Sequence, residues 1–258
     1  MSQPESGRPA GGPPAGGPPA SAGAAPAENV PRQFVNFVFF KVDPAWRRLP
    51  ADVRERGKVQ FAKVANDWGH SGKMNVLPYS TIAMRPDVDF MLWRICYTLD
   101  DLQEMQTELL RTELGQYLTT PHSLLAMTKR STYIIEHQHE GQVDSRGTLK
   151  PGQYKYIFVY PFVKTREWYL LSMPVRQGIM NEHITVGHKY PSVKLNTTYS
   201  FGLDDQDFVV AFESDKADDF LDLVQELRET ESSRYTVRDT PIFTCILKDA
   251  KGMLDTIG

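Results

Sequence analysis

The chain has 258 residues, of which 24% are charged and 41% are apolar, and its formal net charge is −3. This balance is typical of a folded globular protein and excludes the basic excess that binding to nucleic acid or to an anionic membrane surface requires. No run of apolar residues approaches the roughly 18 that a membrane-spanning helix needs, so no span is expected.

Residues 1–33 are rich in Pro, Gly and Ala and carry little charge. A segment of this composition cannot bury enough apolar surface to fold, so it is predicted to be a disordered tail. It lacks the basic start and apolar core of a secretory signal. The two cysteines, Cys96 and Cys245, are far apart. This spacing favours reduced thiols in a cytoplasmic protein and excludes a zinc site built from Cys pairs.

Residues 34–134 and 154–248 are two copies of one pattern. The stretch "FVNFVFFKVDPAWRRLP" at the start of the first copy resembles "YKYIFVYPFVKTREWYLLSMP" at the start of the second. Later, "PDVDFMLWRICYTLDDLQEMQTELLRTELGQYL" resembles "LDDQDFVVAFESDKADDFLDLVQELRETESSRYT". The register pairs Trp46 with Trp168, Asp89 with Asp207, Glu113 with Glu231 and Tyr117 with Tyr235.

Each copy predicts the same elements in the order strand, helix, strand, strand, helix, strand. After its opening strand, the first copy has helices at about 50–69 and 100–111 and strands at about 76–84, 88–98 and 123–134. The second copy then has helices at about 173–190 and 215–229 and strands at about 194–202, 206–214 and 240–248. This is the ferredoxin-like order. The fold class is therefore α+β, with two fused ferredoxin-like repeats expected to form a dimeric α+β barrel.

Residues 135–153 form a linker between the copies, and residues 249–258 are expected to be a C-terminal tail. The linker is charged and polar, with "EHQHEG" near its start. It is long for a connection inside a compact fold, and long loops often line functional sites.

The segment "EHITVGHKYPSV" places His183 and His188 near the end of the second copy's first helix. At 100° per residue, His183 falls on a stripe with Ile179, Val186 and Tyr190 that is turned toward the sheet, whereas His188 points to the solvated side. A buried histidine must find partners for its ring nitrogens. Either it is a core histidine bonded to the backbone, or it is a ligand.

The first copy serves as a control for the second. At the positions of His183, Tyr160 and Lys164 it has the ordinary core residues Phe61, Val38 and Val42. Three polar replacements at matched positions on neighbouring elements predict a ligand cavity in the second copy.

One histidine with a tyrosine and a lysine limits the kinds of site that fit. A structural zinc needs more His or Cys ligands, and a hydrolytic triad needs a Ser or Cys nucleophile in a recognisable motif. A large flat cofactor bound through one axial histidine fits better, as in haem proteins whose iron is held by a proximal His. Lys and Arg side chains would then pair with the propionates.

The blocks "YPFVK", "EWYLL", "MNEHITVGHKYPSV" and "SFGLDDQDFVVAFE", followed by "ELRETESSRYT", resemble the chlorite dismutase superfamily. Within it they look most like the coproheme decarboxylases of bacterial haem synthesis. The resemblance covers about residues 34–248. It implies fused ferredoxin-like halves assembled as a homopentamer or hexamer, and contact with a ferrochelatase. It also implies iron coproporphyrin III (coproheme) as substrate, haem b as product and hydrogen peroxide as oxidant.

The resemblance also implies roles for single residues. His183 matches the proximal ligand of the iron, and Tyr160 matches the tyrosine that becomes a radical and takes hydrogen from a propionate. Lys164 matches a basic residue beside a propionate.

Three further residues have counterparts in the family, and Met180 is a candidate from its position near His183. Trp168 matches a tryptophan that flanks the haem, and Arg146, in the linker, matches a propionate-binding arginine. Glu231 lies near an acid that hydrogen-bonds the proximal histidine in chlorite dismutases. Met180 is a candidate for lining the pocket or for simple packing.

One position departs from the chlorite dismutases. Leu195 falls where they carry a distal arginine and many decarboxylases a glutamine, with Asn196 as the neighbouring alternative. A leucine offers an oxyanion neither charge nor hydrogen bond, which argues against chlorite as substrate. A linker histidine, His139 or His137, is then the candidate distal base, and the alternative is that both are exposed loop residues.

Three functions therefore remain open. The first is a peroxide-dependent coproheme decarboxylase. The second is a chlorite-splitting oxidoreductase, against which Leu195 argues. The third is a carrier or sensor of haem on the same fold, which would need neither Tyr160 nor Lys164.

Overall fold

The computed structural model describes residues 31–131, 133, 148–152 and 154–258. The predicted order of elements is present in both copies. The first contains β1 (Phe34–Val42), α1 (Ala51–His70), β2 (Met74–Ser80), β3 (Phe90–Cys96), α2 (Leu99–Arg111) and β4 (Leu118–Met127). The second contains β5 (Tyr156–Lys164), α3 (Arg166–Leu170), α4 (Met173–Gly187), β6 (Lys194–Tyr199), β7 (Phe208–Ser214), α5 (Ala217–Glu229), β8 (Thr236–Arg238) and β9 (Phe243–Leu247).

Two predicted segments differ from the structure. The strand expected at about 123–134 begins at Leu118 and ends at Met127, because it pairs along the whole of β1. The segment expected to be a C-terminal tail contains a further helix, α6 (Ala250–Asp255). Its apolar residues are buried in the same core as α1, which explains why the segment is ordered.

Within the described residues, nine strands form one sheet in the order β7-β6-β4-β1-β3-β2-β9-β5-β8. Since β7 also pairs with β5, the pairings run in a closed circuit through eight of these strands. The copies meet at two short seams, one between β4 and β6 and one between β2 and β9. The predicted α+β class, with a large antiparallel sheet, is confirmed.

The alternation of side chains along each strand produces separate cores on the two faces of the sheet. In β1, Phe37 and Phe39 point into the interior of the circuit and pack with residues of β5, β7 and β9. Val38 and Phe40 point outward, into a core that they share with α1, α2 and α6. Because both faces are covered, this strand reads as a continuous apolar run.

The repeat extends to single hydrogen bonds. In the first copy, the Asp89 carboxylate accepts a bond from the Val42 backbone N–H at 2.8 Å. In the second, the Asp207 carboxylate accepts one from the Lys164 N–H, also at 2.8 Å. The same acid thus fixes the end of the opening strand in both copies, and the register inferred from the sequence is confirmed.

Two further properties concern the whole chain. In the described part, no helix has both the length and the apolar character that crossing a bilayer requires. Cys96 and Cys245 are free and buried.

Candidate functional site

The first helices of the two copies pack differently on the sheet. Helix α1 buries Gly57, Phe61, Ala65 and Trp68, whereas no residue of α4 is buried. At its C-terminal end, α4 touches the outer core of the second copy through partly buried side chains that include Val186. The rest of α4 therefore leaves part of the sheet uncovered on this side.

His183 lies on this helix and is partly buried. One of its two ring nitrogens has a hydrogen-bond partner among the described residues. Its Nδ1 is 3.0 Å from the hydroxyl of Ser232, and no hydrogen bond joins its Nε2 to any other described residue. Burial, reinforced by the charge of Lys164, lowers the pKa of His183 to about 4. The ring is therefore neutral at pH 7, which is the form that binds metals. His188, by contrast, is exposed, as its helical position predicted.

Lys164 approaches the same serine from the end of β5. Its ammonium donates a hydrogen bond to the Ser232 carbonyl at 2.7 Å and lies 4.7 Å from the centre of the Trp168 ring. Burial lowers its pKa to about 8. In the described part of the chain, no carboxylate forms an ion pair with it, so Lys164 has unused capacity for an anion.

Tyr160 lies on the face of the sheet that α4 and α5 pack against, and its side chain is buried in the outer core of the second copy. The strand register places it in the middle of three cross-strand rows, Phe158–Phe212–Leu195, Tyr160–Val210–Thr197 and Phe162–Phe208–Tyr199. Its ring is stacked on Phe212 with the centroids 6.1 Å apart. Burial raises the pKa of the phenol above its usual value, so the hydroxyl keeps its proton at neutral pH. Most of the surrounding surface is apolar and aromatic.

The register also separates the two candidates on β6. Leu195 is on the same face as Tyr160, opposite Phe212, and is 51% exposed. Asn196 points to the other side, where it is buried and its amide donates a hydrogen bond to the Glu213 carboxylate at 2.9 Å. Of the two, Leu195 is therefore the one that faces the candidate site.

Trp168 has a structural counterpart in the copy without the site. Its ring lies 5.5 Å from that of Tyr235, and the rings of Trp46 and Tyr117 lie 5.7 Å apart in a similar tilted arrangement. Trp168 is thus a buried anchor of the repeat, and its proximity to Lys164 adds a contact with the site. Met180 is partly buried one turn before His183 on α4.

The partner of the histidine differs from the residue that the resemblance suggested. The Glu231 carboxylate accepts a bond from Arg234 at 2.9 Å, while its neighbour Ser232 reaches His183. The sequence carried a signal for Ser232, because the position that matches it in the first copy is the buried Leu114. Arg146, His139 and His137, also singled out from the sequence, lie outside the described residues.

Arg176 is a further residue that the sequence reasoning missed. It precedes His183 by seven residues, which places both side chains on one face of α4, about 10 Å apart along the helix axis. Its Nε is buried and has no hydrogen-bond partner among the residues that the structure describes. A buried guanidinium N–H without an acceptor is costly, so an anionic ligand would stabilise it.

These observations fit an iron porphyrin. His183 offers one neutral imidazole, and Lys164 and Arg176 offer cations for propionates. The partly exposed row Phe162–Phe208–Tyr199 offers an aromatic surface for a flat ring. Among the described residues, no group of three or more His, Cys, Asp or Glu side chains could hold a bare metal ion. The donor set therefore suits a metal that arrives with its own ligands.

The chain is similar to known chlorite dismutases and to a coproheme decarboxylase. Residues 54–248 match the family model described as Chlorite dismutase. A coproheme decarboxylase from Mycolicibacterium smegmatis is 32% identical over 167 residues, which are 64% of this chain and 70% of that protein. A mutant chlorite dismutase from Candidatus Nitrospira defluvii superposes with a TM-score of 0.78 at 28% identity, covering 86% of this chain and 94% of that one.

A second structure from the same organism, chlorite dismutase in complex with imidazole, matches with a TM-score of 0.78 at 27% identity and the same coverage of both chains. The family model spans well over half of the chain. The fold agrees with that match. The protein therefore belongs to the chlorite dismutase family.

Proposed function

We propose that this protein converts iron coproporphyrin III to haem b by hydrogen-peroxide-dependent decarboxylation of two propionate groups. The observation that carries the proposal is Tyr160, a buried tyrosine in the middle of the three cross-strand rows, where the first copy has Val38. The relative named coproheme decarboxylase supports the same reaction.

The side chains have distinct roles in this proposal. His183 binds the iron through Nε2, while Lys164 and Arg176 hold propionates through charge-assisted hydrogen bonds. The apolar rows of the sheet exclude water from the ring. The bound iron porphyrin, with peroxide, supplies the oxidising power.

Peroxide bound with the iron porphyrin would accept the phenolic hydrogen of Tyr160, and the resulting tyrosyl radical would take one hydrogen from a propionate carbon. The propionate then loses its carboxyl group as carbon dioxide, and a vinyl group remains. Each decarboxylation is a two-electron oxidation, and one molecule of hydrogen peroxide, reduced to water, accepts both electrons. Two rounds convert coproheme to haem b. His139 or His137 is proposed as the distal base and Arg146 as a further propionate ligand.

Chlorite splitting is the second candidate, because the structural relatives include chlorite dismutases. Leu195 argues against it. This residue faces the site and offers no charge or hydrogen bond to an oxyanion, and Asn196 points to the opposite side of the strand. A chlorite-dependent release of oxygen would restore this candidate.

The test is to load the purified protein with iron coproporphyrin III, titrate it anaerobically with hydrogen peroxide, and follow the porphyrin mass. We expect stepwise loss of two carboxyl groups. The variant Tyr160→Phe should bind the porphyrin with similar affinity but lose decarboxylation by orders of magnitude. Tyr156→Phe, four residues earlier on the same face of β5, is the matched control and should turn over normally.

Either of two results would contradict the proposal. Normal turnover by Tyr160→Phe would remove the tyrosine from the reaction. A wild-type protein whose bound porphyrin is only bleached by peroxide would favour the carrier, and chlorite would be tested next.

The assembly is also a proposal. We expect a ring of five or six subunits, which light scattering of the full chain would distinguish from a monomer. We also expect a ferrochelatase to bind the protein and transfer the substrate. Retention of the ferrochelatase on the immobilised protein tests this contact, and absence of retention would contradict it.

A further inference from the structure

A series of hydrogen bonds leads from Nδ1 of His183 through two hydroxyl groups to a backbone carbonyl. The ring Nδ1 is 3.0 Å from Ser232 Oγ, and this oxygen is 3.2 Å from Thr230 Oγ1. Thr230 Oγ1 in turn donates to the Leu227 carbonyl at 2.7 Å. Ser232 and Thr230 are 3% and 4% exposed, so bulk water does not compete for these hydroxyls.

The direction of each bond follows from counting protons. A carbonyl oxygen can only accept, so the single hydroxyl proton of Thr230 is committed to Leu227. Thr230 must then be the acceptor in its contact with Ser232, which commits the proton of Ser232. Ser232 Oγ has no proton left for the histidine, and it can only accept a bond from Nδ1–H.

The last hydrogen bond of this series, from the threonine hydroxyl to a helix carbonyl, is also present in the first copy. There, Thr112 donates its hydroxyl proton to the Leu109 carbonyl at 2.7 Å, as Thr230 does to Leu227. The hydroxyl oxygen of Thr112 accepts from the Gly115 backbone N–H at 3.0 Å. The orientation of this threonine is therefore set without any histidine nearby.

The hydroxyl group in the middle of this hydrogen-bonded series, that of Ser232, is present in the second copy only. The residue that matches Ser232 is Leu114, and the residue that matches His183 is Phe61. Both belong to the same fully buried apolar core. The serine thus replaces a leucine where the histidine replaces a phenylalanine.

We propose that Thr230 and Ser232 fix the tautomer of His183, with the proton on Nδ1 and the lone pair on Nε2 ready to bind a metal. They act as positioning residues, through hydroxyls rather than through a carboxylate. The identity of the metal, an iron porphyrin, rests on the proposed function, but the tautomer itself does not.

The direct test uses the protein without porphyrin. The full chain is labelled with ¹⁵N-histidine, and long-range ¹H–¹⁵N correlation spectra at pH 7 distinguish the two neutral tautomers of each ring. The variant His183→Gln identifies the signal by its disappearance. We expect His183 to show the Nδ1–H pattern, and an Nε2–H pattern in the wild-type protein would overturn the proposal.

Two matched variants test the role of the relay. Thr230→Val leaves the proton of Ser232 free to turn toward Nδ1, so the Nε2–H tautomer should become populated, and affinity for iron porphyrin should fall about tenfold or more. Thr230→Ser keeps the hydroxyl and should restore the wild-type pattern. Thr112→Val removes the equivalent bond in the first copy and should leave the tautomer and the affinity unchanged.

The outcomes separate this proposal from the proposed reaction. An unaltered tautomer in a folded Thr230→Val would exclude the relay, and if that variant does not fold, the wild-type spectrum still decides the tautomer. An Nδ1–H tautomer in a protein that binds but does not decarboxylate coproheme would sustain this inference and refute the proposed function.

Discussion

At two matched positions, the second copy has polar side chains with few hydrogen-bond partners where the first copy has packed apolar side chains. Val42 and Phe61 lie in a closed apolar core, whereas their counterparts Lys164 and His183 share one serine. Burying a cation without a carboxylate costs free energy of folding. A residue of this kind is kept where a ligand supplies the missing charge.

Lys164→Met tests this cost. Because the folded protein lowers the pKa of Lys164 to about 8, from about 10.5 in the unfolded chain, its charge destabilises the fold at pH 7. The variant should be more stable without ligand, by on the order of 3 kcal/mol. The difference should disappear as the pH rises from 8 to 10.5. Affinity for iron coproporphyrin should fall.

Urea unfolding of the two proteins at pH 7 and pH 10.5 measures this difference. Lys216→Met is the control, because Lys216 is exposed and its ion pair with Asp219 is long at 3.6 Å. It should change the free energy of unfolding by less than about 1 kcal/mol. A Lys164→Met protein no more stable than the wild type would show that the ammonium is not strained.

His183 predicts a second dependence on pH, with the same sign but at lower pH. The folded protein lowers its pKa to about 4, so between roughly pH 6.5 and pH 4 the unfolded chain binds more protons. Stability from this group is complete above pH 6.5 and is lost as the pH falls toward 4, by on the order of 3 kcal/mol. His183→Gln, which does not titrate, should lack this part of the decrease in urea unfolding without porphyrin. Parallel pH profiles for the two proteins would refute the lowered pKa.

Comparison of whole elements contrasts α1 with α4, which occupy equivalent places in the repeat. Helix α1 is fixed by four buried residues, and α4 has none. A helix with few buried apolar contacts opens at a lower free energy than the rest of its domain. The ligand side of the second copy is therefore expected to be its most easily opened part.

Hydrogen exchange tests this expectation. Without ligand, the amides of α4 should exchange faster than those of α1, by a factor of ten or more at the helix centres, on the order of 1.4 kcal/mol in opening free energy. Iron coproporphyrin should protect α4 and leave α1 unchanged, which makes α1 an internal control. Equal protection of both helices in the free protein would mean that α4 is already held by other contacts.

Part of the fold and of the candidate site could be predicted from the sequence, and part could not. The order of elements and the facing of His183 follow from apolar periodicity and from the internal repeat, and both signals are long. Ser232 carries no periodic signal, and only comparison with Leu114 could have exposed it. Arg176 looks like an ordinary charged residue on a helix. Helix α6 is shorter than two turns, too short for its apolar spacing to be distinguished from a tail.

In the molecule as a whole, α6 adds a contact between the two copies beyond the two strand seams. Met253, Leu254 and Ile257 follow the last strand of the second copy but are buried in the core of the first. Lys58 of α1 also pairs with Asp255 at 3.4 Å. The chain thus crosses from one copy to the other a second time, after the linker.

Leu254→Ala should therefore destabilise the whole protein by about 2–5 kcal/mol, the cost of a cavity in a packed core. Leu221→Ala on α5 is the control, because Leu221 is 62% exposed, and it should change the free energy of unfolding by less than about 0.5 kcal/mol. Urea unfolding measures both. A small effect at Leu254 would mean that α6 is a dispensable appendage.

The closed circuit of strands also has a consequence for the order of folding and ligand binding. Since every link in the circuit is made by the chain itself, a newly synthesised molecule can complete its sheet before any porphyrin reaches it. Under the proposed function, the strand pairing would then stay unchanged while one porphyrin leaves and the next one binds, as repeated turnover requires.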